Sequence, residues 1–398
     1  MSILKPCASL LIVLVTACDR ELPTGTSLLR DRGIVSLTPR VGRPLRFLTR
    51  DERALFARGG VVFQTVFTPA TGLGPLFNNT ACAQCHEDPV VGGVGEELEL
   101  HATAFQGGAC NDLAALGGPV IQDSVTPALH DALGIDREPV PPEATATARR
   151  TTPSILGFGL LDAVPDAEIL ALADPDDRDG DGISGRPNRA ADGRIGRFGR
   201  KAQVPTLREF NASAFVMEMG ITNPEAPTEQ TIRGAPFPAG VDPTPEPELA
   251  QDDLDAADAF VRFLAPPTPF GSFVARTNGN RIFSRIGCAG CHVAALRTGP
   301  NPVRALAHTV VYAFTDLLLH DMGPDLADIC LGLATPSEFR TEPLMGLRFK
   351  TTFLHDGRAP SIDDAIRLHA GEAAGARDRF LALSPRERDA LLRFLGSL

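Results

Sequence analysis

Apolar positions along this chain fall into short helical periods separated by long stretches rich in Pro and Gly. Thr49 can cap a helix, and Glu52 three residues on completes a capping box. Phe56, Phe63 and Phe67 then recur at i, i+7 and i+11, one face of that helix. Residues 252–264 carry a second helical pattern, and Pro266-Pro267 marks a boundary after it. Asn280 to Ile286 predicts a short helix stopped by Gly287. Ser361 caps a helix on which Ile362, Ala365 and Ile366 share a face with His369, and Gly371 ends it. The last helix starts at Ser384, with Pro385 at its first position and Glu387 at its third. Its apolar stripe is Leu391, Leu392 and Leu395. Residues 138–147 and 222–248 read as loops, and alternating strand patterns are few. The expected fold is mainly α.

The ends and the charge refine this picture. Lys5 is followed by an apolar run from Ala8 to Val15, too short to span a bilayer as a helix. It ends in Val15-Thr16-Ala17 before Cys18, which predicts a lipoprotein signal peptide over 1–17 and lipidation of Cys18. Residues 18–45 read as a polar tether. Lipidation places the mature chain in a bacterial cell envelope, facing the periplasm and held to the membrane by its lipid anchor. The net charge of −11 argues against nucleic acid as a partner. A small, basic redox protein is the partner such a surface suits.

The chemistry sits in two pentapeptides, Cys82-Ala83-Gln84-Cys85-His86 and Cys288-Ala289-Gly290-Cys291-His292. C-x-x-C-H is the attachment pattern of c-type haem. The two thiols hold the porphyrin and the adjacent His gives its imidazole to iron. A zinc site would need four ligands in two nearby pairs, but these pairs lie far apart and each carries its own His. Each motif follows a helix, so we expect two cytochrome-c-like domains with one covalent haem each. The first spans 46–265 with a long loop-rich insertion, and the second spans 270–398. With Cys7 in the signal peptide and Cys18 lipidated, Cys110 and Cys330 remain. In an oxidising compartment they read as a disulfide or as two buried thiols.

What fills the far axial position separates an electron carrier from a catalyst. His369 is the candidate for the second haem, with Met345 as the alternative. For the first, His101, His130 and an open position all stand. Asp177-x-Asp179-x-Asp181-Gly182 matches the opening of a calcium loop, with Asp174 and Asp176 adding oxygens and Asn188 at the twelfth position.

From about Leu48 to Leu398 the chain resembles the bacterial di-haem oxidoreductases, relatives of the di-haem cytochrome c peroxidases. Four stretches carry the likeness: Arg150-Thr151-Thr152-Pro153 into Gly157-Phe158-Gly159-Leu160-Leu161; Gly196 to Ala202; Asp316 to Gly323; and Phe339-Arg340-Thr341 through His355-Asp356-Gly357-Arg358 to His369-Ala370-Gly371-Glu372. In the related peroxidases an H-D-G segment precedes the far ligand of the second haem, usually Met, by fourteen residues. His355 plus fourteen is His369, which implies a His/His haem. Glu218-Met219 resembles the peroxidases' Glu-Met pair, which implies that Glu218 serves a peroxide site at the first haem. Electrons would then pass from the C-terminal haem to a catalytic N-terminal one. Two positions depart from the family. Arg200 stands where members usually have Trp between the haems, and Phe210 stands where the peroxidases have Gln. The same scaffold in an oxidase that modifies a partner protein or polymer, or in a closed electron carrier, are the rival readings. Mass spectrometry of the matured protein should find haem on both pentapeptides; finding it on neither removes the whole reading.

Overall fold

The computed structural model describes residues 41–398. From Arg40 onward the chain clusters as one compact unit. Two crossing helix pairs and one small sheet position everything else.

In the first pair, α1 (Arg50–Gln64) lies against α3 (Gln251–Phe263). The Thr49–Glu52 capping box forms as the sequence predicts. Gly59 makes the crossing close, because a Cβ there would stand 1.8 Å from Ala256 O. The rings of Phe56 and Phe63 each lie 5.0 Å from Phe260. Phe67 does not share their face, since the helix has ended at Gln64. Helix α2 (Leu207–Met219), capped by Thr206, packs on α3 and closes this half.

The second pair repeats the device. Helix α4 (Phe273–Arg285) is longer than expected, and Gly287 beyond it takes the left-handed conformation that favours glycine. It crosses α6 (Pro385–Leu395) at Gly279, where a Cβ would meet Phe394 Cβ at 2.2 Å. Phe283, Phe314 and Phe394 stack edge to face around the crossing. Leu391 and Leu395 are buried beneath α6 as its stripe predicts. Between α4 and α6 in sequence lies α5 (Ile362–Leu368), capped by Ser361.

The expected mainly α fold of two cytochrome-c-like domains is not what forms. Among the described residues 33% are helical and 14% are in strands, which make several small sheets. The largest is built on β1 (Leu98–Gln106), which pairs antiparallel with β2 (Ala109–Asn111), β3 (Val120–Ile121) and β4 (Ala146–Thr151). Register places Glu99 opposite Arg150 and His101 opposite Ala148. A second ribbon pairs β5 (Leu319–Asp321) with β6 (Glu338–Arg340), His320 opposite Phe339. The strands escaped the sequence pattern because Glu99, His101 and Arg150 look like surface residues. Here they are buried or half-buried and pair with other polar groups, so the apolar–polar alternation of a half-solvated strand is missing.

One buried ion cluster joins the large sheet to the C-terminal half. Asp328 receives Arg150 at 2.6 Å and Lys201 at 3.0 Å. Lys201 Nζ also donates to three backbone carbonyls, of Thr335, Pro336 and Glu338. Full pairing is what makes charge tolerable at that depth. The same junction is closed covalently by Cys110 and Cys330, which form a disulfide.

Gly59→Ala should separate α1 from α3 and cost about 1–3 kcal/mol, the usual penalty of overpacking. Urea unfolding of the variant checks this. An unchanged midpoint would show that the crossing relaxes freely.

Candidate haem sites

The second pentapeptide borders a cavity of about 440 Å³. Cys288, Cys291 and His292 line it together with His369, and its apolar lining includes Phe283 of α4 and Ile362, Ala365 and Ile366 of α5. His292 Nδ1 lies 3.0 Å from Phe314 O, and His369 Nδ1 lies 2.7 Å from Ala365 O. Each ring therefore donates its Nδ1 proton to a carbonyl and keeps the Nε2 lone pair, as metal-bound imidazoles do. Burial lowers the His292 pKa to about 4 and lowers that of His369 as well. Both rings are neutral at pH 7, the form that binds iron.

His369 reaches this position differently from the sequence expectation. Helix α5 ends at Leu368, and His369 is its C-cap with extended backbone rather than a member of its apolar stripe. Ile362, Ala365 and Ile366 do face the cavity. Met345, the alternative ligand, packs into the main core instead, with its sulfur against Gly157.

The first pentapeptide forms a single helical turn, Cys82–Cys85, with His86 just past it. His86 repeats the arrangement: its Nδ1 is 3.2 Å from Gly93 O, and burial lowers its pKa. Burial pushes the thiols of Cys82 and Cys85, and that of Cys288, up to about 12. A reactive redox thiol needs the opposite shift. These cysteines suit attachment of a group, not disulfide exchange.

Carboxylates crowd the first site. Glu218, in the last turn of α2, lies close enough for its charge to act on both Cys82 and Cys85. Asn78 holds it twice, its amide Nδ2 donating to Glu218 Oε2 at 2.8 Å and its backbone N–H to Glu218 O at 2.8 Å. Burial raises the Glu218 pKa well above the usual carboxylate range, and Glu99 raises it further. Burial thus favours the protonated form of Glu218. Glu99 behaves oppositely. Burial works to raise it, but the hydrogen bond to His101 (3.3 Å) and the nearby His101, His86 and Arg200 outweigh that and hold it low. His101 is therefore engaged through Nε2 with Glu99 on the sheet. His130 sits half exposed on the helix Pro127–Leu133, bonded to Ile135 O.

Several groups beside these sites carried no role in the sequence reading. Glu99 belongs to no motif, and only the sheet brings it to the first site. His320 is buried between Asp316 (2.8 Å) and Glu372 (2.8 Å), 3.7 Å from Cys291 Sγ. Burial opposes its charge, but the bonds to Asp316, Cys291 and Glu372 raise its pKa to about 12. His355 stacks on Phe339 at 4.4 Å and lines the cavity. The signal for His320 and His355 was their place in the family-like stretches.

Asp177, Asp179 and Asp181 each offer an oxygen within 4.8 Å of the others. Asp181 and Gly182 line the cavity, so this loop adjoins the second site. Asn188 does not join it. Its amide is buried and bonded to Lys201 O and Leu331 O. Cys18 lies outside the described residues, of which no helix is long and apolar enough to cross a membrane.

Residues 142–398 match the family described as "Di-haem oxidoreductase, putative peroxidase". The chain belongs to this family. Membership implies two haems, and the residues at both pentapeptides fit that group: paired thiols, neutral imidazoles with free Nε2, and at the second a largely apolar cavity. The matched span holds the second pentapeptide, Glu218 and His369; the first pentapeptide precedes it. No curated protein matches the chain. Among solved structures, a diheme peroxidase from Burkholderia thailandensis is 16% identical, with a TM-score of 0.41, over 87% of this chain and 86% of that one. A MauG-like protein associated with microbial copper homeostasis is 16% identical at 0.39, over 90% and 92%. A hydrazine synthase from Kuenenia stuttgartiensis is 14% identical at 0.40, over 99% and 100%. Likenesses this distant add nothing to the family assignment.

The raised Glu218 pKa has a consequence for stability. Its proton is held in the folded chain and released from the unfolded one above the ordinary value of 4.5. Folding stability therefore falls as pH rises from there toward the folded-state pKa. Glu218→Gln should remove that loss, so the variant gains on the wild type as pH rises above about 5, as read by urea midpoints. Parallel pH profiles would show that Glu218 is not buried as described.

Proposed function

We propose that this di-haem oxidoreductase is a c-type, peroxidase-like enzyme of the bacterial cell envelope. One haem is held by Cys82 and Cys85 with His86 on iron, and the other by Cys288 and Cys291 with His292 and His369. The observation that supports this best is the shared state of the three imidazoles, each tied by Nδ1 to a backbone carbonyl and free at Nε2. When bound, the haems supply electron transfer from the C-terminal site to the N-terminal one and reduction of peroxide there.

Peroxide reduction consumes protons, and Glu218 is a buried carboxyl beside the first site whose proton is held more tightly than usual. Asn78 fixes its carboxyl and leaves the other oxygen for a substrate proton. A small redox protein delivers the electrons. Cys18 carries the lipid, and the Asp177–Asp179–Asp181 loop takes calcium next to the second haem.

Glu218→Gln should lower peroxide turnover by roughly 10²- to 10⁴-fold, the range for loss of a positioned proton donor, with haem content unchanged. Wild-type turnover should also decline as pH rises through the raised Glu218 pKa, and the variant should lack that limb. Full turnover in the variant would remove Glu218 from the reaction. EPR completes the test: a high-spin iron is expected at some redox level, and two low-spin irons throughout, indifferent to peroxide, would make the protein an electron carrier.

A further inference from the structure

The cavity at the second pentapeptide carries an unbalanced knot of charge. Glu342 lines it, and three cations close on that one carboxylate. Arg200 Nη1 reaches it at 3.0 Å, Arg340 Nη2 at 2.8 Å and Lys350 Nζ at 3.4 Å. All four side chains face the cavity. Arg340 is only 3% exposed, and its Nε is buried without a hydrogen-bond partner. The neighbouring Asp316 acts on Arg340 by charge, but its carboxylate is bonded to His320 and not to the three cations. Buried cations in surplus are costly unless an anion answers them.

The knot also spans the distance between the two sites. Arg200 Nη2 donates to Thr151 O at 2.8 Å and to Thr151 Oγ1 at 3.1 Å. Thr151 ends β4, the strand that pairs with Leu98 and Glu99 on β1. The Arg200 backbone carbonyl is tied in as well, accepting from Arg340 N at 2.9 Å. Its charge acts on Glu99 at the first site and on Glu342 at the second. A planar, always charged guanidinium suits a carboxylate better than any other side chain does.

Haem carries two carboxylates, and the three cations at Glu342 share that single carboxylate by direct contact. We propose that Arg200, Arg340 and Lys350 form the seat for the carboxylates of the haem attached at Cys288 and Cys291. The idea rests on the haem reading above. Glu342 holds the three cations apart and oriented, and the haem carboxylates complete their pairing. A fixed cation beside the porphyrin disfavours the ferric state, so this seat also raises the reduction potential of that haem. Arg200 is a positioning residue in this account, not one that touches peroxide.

The test uses the matured holoprotein. Spectroelectrochemical titration of Arg200→Gln and Arg340→Gln should show the midpoint of the second haem shifted to lower potential in each. Arg200→Lys keeps the charge and should retain most of the wild-type value. Haem content separates the two levels of inference: absence of haem at Cys288 and Cys291 in the wild type overturns the haem reading itself. Haem present with an unmoved midpoint in both Gln variants overturns the seat. Where a variant fails to mature, the wild type still decides, through redox-difference infrared spectra with the haem carboxylates carbon-13 labelled. Deprotonated, strongly hydrogen-bonded carboxylate bands at pH 7 are expected. Bands of protonated acids there overturn the proposal.

Discussion

A buried imidazole cannot serve iron until its other nitrogen is satisfied, and that requirement organises this molecule. Phe314, Ala365 and Gly93 each offer a carbonyl to one histidine. None of those carbonyls is placed by the pentapeptides alone. Gly93 sits in the turn after the first motif, Phe314 in a core shared with α4 and α6, and Ala365 inside α5. The helix crossings at Gly59 and Gly279 bring the surrounding walls in close. Packing thus fixes which ring nitrogen is free, and so what each histidine can bind.

The two sites differ in charge. Around Cys82 and Cys85 stand Glu218 and Glu99, the first with its pKa raised and the second with its pKa lowered beside His101. Burial accounts for the first, and charged or hydrogen-bonded neighbours for the second. Around the cavity at Cys288 the surplus is cationic. Different charged surroundings at two otherwise similar candidate sites are a means of giving them different chemistry. Arg200 contacts Glu342 at the cavity, and its charge acts on Glu99 at the first site. The chain has no Trp, so no indole stands between the sites. A guanidinium there joins them by charge and hydrogen bonds instead.

The cysteine and histidine spacing made both candidate sites legible, because C-x-x-C-H is a local pattern that can be read without the fold. Helix ends with strong caps were legible too: Thr49, Ser361 and Ser384 all cap where expected. The fold class was not. Strand β1 was hidden because Glu99 and His101 break its apolar alternation, and their burial depends on partners distant in sequence. The end of α5 was misjudged for a related reason. Local signals ran the helix to Gly371, whereas packing stops it at Leu368 and turns His369 into the cavity.

By itself, then, the sequence determined where the two C-x-x-C-H pentapeptides stand and where the helices capped by Thr49, Ser361 and Ser384 start. These follow from contacts within a few residues of chain. Only the tertiary structure decided that Cys110 meets Cys330, that Glu218 is buried beside Cys82, and that three cations converge on Glu342. Each of those depends on burial and on partners many residues away. The energy of a charged group is set by what surrounds it in space, which the order of residues does not specify.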